Sequence, residues 1–289
     1  MILSWADEYD SDMENEWNAR NNNKNINNNN INKISDNEQF SKFSDKICDK
    51  KCSIDYRLFT TVENSKYSCL MPWYINQVNS FLTNIYKKGI FRNNVRKIVD
   101  VGANIGVDCI NFLNNFSDLN FILFEIEEKT YKALCKNLLE FKHLTHLKSI
   151  NQLTDINSKI QAYNKDFINN IDMVVNSDIV FIDAPWGGTI YKDKKNISIY
   201  LQPEDDYYNI NNYDSSKNII NITKKILKTE YNVKSVLLKV PYNYEFDNFE
   251  YELKKYNSNI VIKYKNIYKG NTNYIAFVLI CVYTKDAIY

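Results

Sequence analysis

The residues best equipped for chemistry lie in one short stretch, Asp183-Ala184-Pro185-Trp186-Gly187-Gly188. An exocyclic amine on a purine is a poor nucleophile, because its lone pair is delocalised into the ring. Two acceptors aimed at the amine hydrogens would orient that lone pair and stabilise the positive charge that develops on nitrogen as a new bond forms. Asp183 supplies a carboxylate for one. The carbonyl of Ala184, held by the restricted geometry before Pro185, supplies the other. Trp186 offers a flat face for stacking a base, and Gly187-Gly188 gives the backbone room to turn beneath it. A base made cationic by alkylation would gain about 1–2 kcal/mol more from the indole through cation–π attraction. A tryptophan merely buried beside a turn requires no preceding Asp-x-Pro, so Asp183, Ala184, Pro185 and Trp186 are read as catalytic.

A second constellation lies upstream, in Asp100-Val-Gly102-Ala-Asn104-Ile-Gly106. It follows an apolar run and opens a helical pattern, so the free N–H groups at the helix start face whatever the loop holds. Glycine-rich turns of this kind also serve dinucleotides, but there the spacing is Gly-x-Gly-x-x-Gly; here it is Gly-x-x-x-Gly. An acidic residue, Glu125, ends the next apolar run, where it can accept both ribose hydroxyls. Asp166-Phe167 follows where a carboxylate would meet an adenine amine with the ring beside the base. Singly, Glu125 reads equally well as a charge at a helix start and Asp166 as a loop carboxylate. In this order, with Asp100, Gly102, Asn104 and Gly106, they point to S-adenosylmethionine as cofactor. No metal-ligand spacing accompanies them, and the six cysteines include no CxxC.

These residues must be positioned by alternating strands and helices. The pattern predicts strands at Lys97–Val101, Asn120–Phe124, Ser177–Asp183 and Ser235–Val240, with a short edge at Leu147–Ile150. Helices are predicted over Gly106–Asn115, from Glu125 to about Phe141, over Ser216–Leu227 and over Phe246–Tyr256. Two closing strands, Asn259–Ile267 and Asn273–Tyr283, flank a tight Lys-Gly-Asn turn and so form an antiparallel hairpin. The expected fold is a Rossmann-like α/β methyltransferase: a parallel sheet with that terminal hairpin, and a ligand crevice at the carboxyl ends of its central strands. Residues 1–38 form an Asn-rich tail, with Asn at nine of the twelve positions from 21 to 32. Such a segment buries too little apolar surface to offset its ordering entropy and is expected to be disordered. Residues 39–95 are expected to form a helical extension serving as a substrate lobe, and residues 96–289 the methyltransferase domain. A net charge of +1 excludes a global basic field for non-specific nucleic-acid binding. No run approaches the length of a membrane span and no signal peptide opens the chain, so an intracellular, soluble protein of nucleus or cytoplasm is expected.

Taken together, the motifs resemble the trimethylguanosine synthase family, the RNA cap guanine-N2 methyltransferases. The family's Pro-Pro-Trp-Gly-Gly loop, usually preceded by Ser, aligns with Asp183–Gly188, and its cofactor loop falls without gaps on Asp100–Phe112. Its acidic strand end, its Asp-Phe pair and its Leu-Pro-Arg-Asn element match Glu125, Asp166-Phe167 and Val240-Pro-Tyr-Asn243. Phe40–Asp45 looks like the family's entry into its catalytic domain, so the likeness covers about residues 40–255. The resemblance implies capped RNA as partner and a 7-methylguanosine cap as substrate. Trp186 and Asn243 would contact it, and Lys192, with Lys194 and Lys195, would meet the triphosphate. Departures concern the base: Asp183 stands for Ser, Ala184 for Pro, Asn104 for Gly, Asp108 for Asn and Tyr242 for Arg. The first two move the loop toward the Asp-Pro-Pro-Trp of N6-adenine methyltransferases, which is the alternative enzyme reading. A cap-binding homologue without turnover is the alternative from another class.

Overall fold

The computed structural model describes residues 41–43, 54–62, 65, 69–89, 91, 95–116, 119–143, 159–201, 214–270 and 272–288. The Asn-rich tail, Phe40, Asp45 and the short edge expected at Leu147–Ile150 lie outside the described residues.

Nine strands are described: β1 Ser41–Lys42, β2 Thr60–Thr61, β3 Lys97–Val101, β4 Asn120–Phe124, β5 Ile160–Tyr163, β6 Ile179–Ile182, β7 Ser235–Val240, β8 Ile260–Tyr268 and β9 Ile275–Thr284. The α-helices are α1 Pro72–Leu82, α2 Val107–Asn115, α3 Glu128–His143, α4 Ile219–Ile226 and α5 Phe246–Tyr256. β1 and β2 pair only with each other; the remaining seven form one sheet in the order β5-β4-β3-β6-β7-β9-β8. Its first five strands run parallel, and β9 is antiparallel to both β7 and β8. This is the Rossmann-like sheet with the terminal hairpin that the sequence predicts. One strand differs from expectation: β5 is Ile160–Tyr163, where the sequence pattern predicts none. Its half-exposed, non-alternating side chains hide it, and parallel pairing with β4 makes it a strand.

Parallel strands covered on both faces read as continuous apolar runs, and β6 is buried at every position. The two-residue alternation sends Ile98, Phe181, Leu237 and Leu279 into one apolar layer, with α1, α2 and α3 residues such as Val78, Phe112 and Leu134. Val99, Val101, Val180, Ile182 and Leu238 enter the other, with Ile222 of α4 and Phe249 of α5. α4 buries Ile219, Ile222, Thr223 and Ile226, a stripe at helical spacing, and starts where the Asn218 side chain accepts from the Ile220 N–H at 2.8 Å. α1 starts at Pro72, whose missing N–H costs nothing at a helix start. Its Ile75, Val78, Phe81 and Leu82 belong to the same layer as the sheet.

Candidate active site

The strand order reverses between β3 and β6, so their carboxyl ends diverge into a crevice. The two loops singled out from the sequence leave the sheet there, side by side. Gly102 adopts a φ of +81°, and a Cβ on it would stand 2.8 Å from the Asp183 carbonyl oxygen. Only glycine satisfies both constraints, since a side chain would be strained by the dihedral and blocked by the second loop. The cofactor loop is pinned below by Phe124, whose carbonyl accepts from the Gly102 and Ala103 amides at 3.0 and 2.9 Å. Gly106, also left-handed, precedes α2, and Asn104 has a φ of +50°.

Asp100, on β3, faces the α1–α2 side of the sheet. It is fully buried, and neither carboxylate oxygen has a hydrogen-bond partner. Burial first, and then the charges of Asp108, Asp183 and Glu125, hold its carboxyl well above the usual range. Glu125 is also buried, with its oxygens engaged: Oε2 accepts from the Asn104 N–H and Oε1 from the Glu127 N–H, both at 2.9 Å. It therefore latches the cofactor loop to the end of β4, a task beyond the ribose contact expected of it.

The two residues expected at the adenine end also have tasks in the local packing. Asp166 caps the following 3-10 turn, Oδ1 accepting from Ile168 N–H at 2.8 Å and Oδ2 from Asn169 at 3.3 Å. Phe167 is 2% exposed and packs edge-to-face on Phe124.

In the second loop, Asp183 follows β6 and meets a residue the sequence reading passed over. Ile182 pairs with Leu238, so the next step along each strand sets Asp183 beside Lys239. Nζ lies 2.6 Å from Asp183 Oδ2, with both side chains nearly buried. Burial, together with Asp108, raises the Asp183 carboxyl to about 6 although the Lys239 charge pulls it down. The signal was present: a lysine inside Ser235-Val-Leu-Leu-Lys-Val240, a strand buried at every position, requires a partner. Ala184 is buried and Pro185 exposed. Trp186 is half-buried between the two apolar layers, its Nε1 buried without a partner and its ring perpendicular to Tyr191 at 5.4 Å.

Asn243, expected at the substrate, has a supporting task as well. It is buried, and its Nδ2 donates to the carbonyls of Tyr191 and Lys194, both at 2.7 Å, which ties the 3-10 turn Gly188–Asp193 to the end of β7. Lys192, Lys194 and Lys195 are exposed on that turn and its continuation. Tyr242, at 44% exposure, lies against Tyr191 at 6.4 Å. Among the described residues no helix is long and apolar enough to cross a membrane.

No protein-family model matches the chain. An uncharacterised protein of Acanthamoeba polyphaga mimivirus is 38% identical over 82 residues, which are 28% of this chain and 27% of that relative. The chain thus spans about a quarter of the curated relative it matches. Similar solved structures include the human methyltransferase 10 domain containing protein (9% identity, 75% of this chain and 84% of that one, TM-score 0.47). The hMettl16 catalytic domain, in complex with a 3′UTR hairpin, gives 10% identity over 81% and 75% at a TM-score of 0.44. A precorrin-6y C5,15-methyltransferase from Geobacter metallireducens gives 15% identity over 81% and 98% at 0.45. Likeness at this level reaches neither substrate nor site residues.

Proposed function

We propose that this chain is an S-adenosylmethionine-dependent methyltransferase acting on the exocyclic N2 of a 7-methylguanosine RNA cap. The observation that carries the cofactor is Asp100, a buried carboxylate with two unpartnered oxygens at the switch point of the sheet. Leaving such a group unpaired is costly, so the site is built for a ligand that brings positive charge or donors. Asp108, Glu125 and Asp183 crowd the same region, so its field favours a cation. S-adenosylmethionine carries a sulfonium and an ammonium, fits that requirement, and when bound supplies an electrophilic methyl group. Asp100 and the Gly102–Gly106 loop would hold it, with Glu125 keeping the loop closed.

The base assignment rests on the Asp-Ala-Pro-Trp-Gly-Gly loop and its resemblance to the cap enzymes. Trp186 stacks the base, more strongly when N7 methylation makes it cationic. Asp183 and the Ala184 carbonyl accept from the amine and align its lone pair. Lys192 and its neighbours meet the phosphates. One residue favours a second reading: a carboxylate at position 183, where the cap enzymes carry Ser, suits adenine N6.

Labelled S-adenosylmethionine offered with a 7-methylguanosine cap analogue, an unmethylated cap and an unpaired adenine oligonucleotide decides between them. Transfer to the N7-methylated cap, with the unmethylated cap much poorer, is the expected result. Equal reaction of both caps, or transfer only to adenine, overturns the cap-N2 reading.

A further inference from the structure

Strand alternation puts Asp100, Asp183 and Lys239 on one face of three adjacent strands, β3, β6 and β7, and α2 brings Asp108 over them. Lys239 also lies over the Phe277 ring of β9, 5.5 Å from its centre. Asp108, Asn111 and Lys239 are the polar lining of one small recess, among apolar walls that include Phe181 and Phe277. An isolated ammonium would not stay charged in such surroundings. Lys239 is nevertheless held above its ordinary range, against the effect of burial, by Asp183 and then by Asp108. The ammonium is thus ion-paired with Asp183, at the head of the catalytic loop, and also feels the charge of Asp108, at the start of the helix that follows the cofactor loop.

We infer that Lys239 is a positioning residue which keeps Asp183 an ionised, oriented acceptor, and that Asp108 competes with Asp183 for it. A protonated Asp183 would carry a hydroxyl donor where the substrate amine needs an acceptor. The neighbouring cation prevents this at neutral pH and fixes Oδ2, which in turn orients the carboxylate. Asp108 acts in the opposite sense: burial raises its own carboxyl, against the pull of Lys239, and in its ionised form its negative charge disfavours ionisation of Asp183 and draws on the same ammonium. The groups facing this pair are Asp108 from α2, Asp100 from β3 and Cys69 from the segment before α1. The thiol is pushed up to about 12, chiefly by burial, and so stays uncharged.

The kinetic role rests on the methyltransferase reading, but the electrostatic one does not, and the test separates them. Carbon-13 NMR of aspartate carboxyls, with the Asp183 signal assigned by its loss in D183N, follows ionisation directly in the full chain without any methyl acceptor. Wild-type Asp183 should titrate near 6. K239M should move that midpoint up, and D108N should move it down, each by about one pH unit. K239R should restore it. Circular dichroism checks folding, and if K239M does not fold, D108N alone decides. A midpoint that stays put in D108N, or moves the same way in both variants, overturns the inference.

Where transfer is measurable, the folded-state carboxyl is raised above its ordinary value, so activity that needs the carboxylate is present above about pH 6 and is lost as the pH falls through it. That acid limb of kcat should shift in the same order as the NMR midpoints, while KM for the acceptor changes little. Unmoved limbs with moved midpoints also overturn the positioning role. Titration shifts without transfer to any base would sink the proposed function and leave the charge cluster standing.

Discussion

Trp186 and Asp183 are three residues apart on one loop, yet replacing them should cause different failures. Stacking acts on the bound base in ground and transition states alike, so Trp186→Ala should raise KM for the cap, or abolish its binding, and spare cofactor affinity. The hydrogen bond to Asp183 gains most as charge develops on the amine, so Asp183→Ala should lower kcat by about 10²–10³ with cap affinity nearly kept. Fluorescence titration with a cap analogue, beside single-turnover rates, checks the split. Equal loss of affinity in both variants would show that Asp183 is part of the base pocket only. At this scale the sequence was legible where a residue breaks a local rule: a carboxylate before Ala-Pro, rare glycines, an Asp in an apolar strand. It was silent where a polar side chain satisfies a neighbouring backbone, since nothing in the sequence shows that Asn243 and Asp166 hold turns together.

Among the elements, α3 holds a fastening that no periodicity reveals. Asn137 is fully buried, accepting from the Thr60 N–H at 2.6 Å and donating to the carbonyls of Thr60 and Ile105, both at 2.9 Å. One amide thus ties β2 and the cofactor loop to α3. Asn137→Ala would strand three groups, the Thr60 N–H and the Thr60 and Ile105 carbonyls, and should cost about 3 kcal/mol of stability or more, at roughly 1–3 kcal/mol for each buried group left unsatisfied. Urea unfolding measures the loss; a change below about 0.5 kcal/mol would show that the loop is held by other means. The strands and helices of the sheet were largely readable, because burial on both faces leaves apolar runs and α4 and α5 carry clear stripes. β5 was not, since a half-exposed edge strand draws its order from the hydrogen bonds of β4 and not from its own composition. Lys239 was passed over for a related reason: its partner lies 56 positions away, across a strand pairing that no local pattern encodes.

For the molecule as a whole, an acidic crevice without its cation is a standing cost to the folded state. Binding that occurs only in the folded state should repay it by mass action, about 2.7 kcal/mol at a hundredfold excess over Kd. That corresponds to a rise in Tm of roughly 4–6 °C for a chain of this size. Asp100→Asn should unfold at a higher temperature than wild type without cofactor, because a neutral amide is cheaper to bury than a carboxylate held above its usual range, and should gain much less on adding S-adenosylmethionine. Differential scanning calorimetry distinguishes the outcomes, and an undiminished gain in the variant would remove Asp100 from the site. The contact between Gly102 and the Asp183 carbonyl has a consequence of another kind. The segment that would carry the methyl donor and the segment that would carry the acceptor share one van der Waals boundary, so neither can shift alone. If both ligands bind there, their affinities should be coupled, and thermodynamic linkage would make the coupling reciprocal: whatever factor the donor adds to the acceptor's binding, the acceptor returns to the donor.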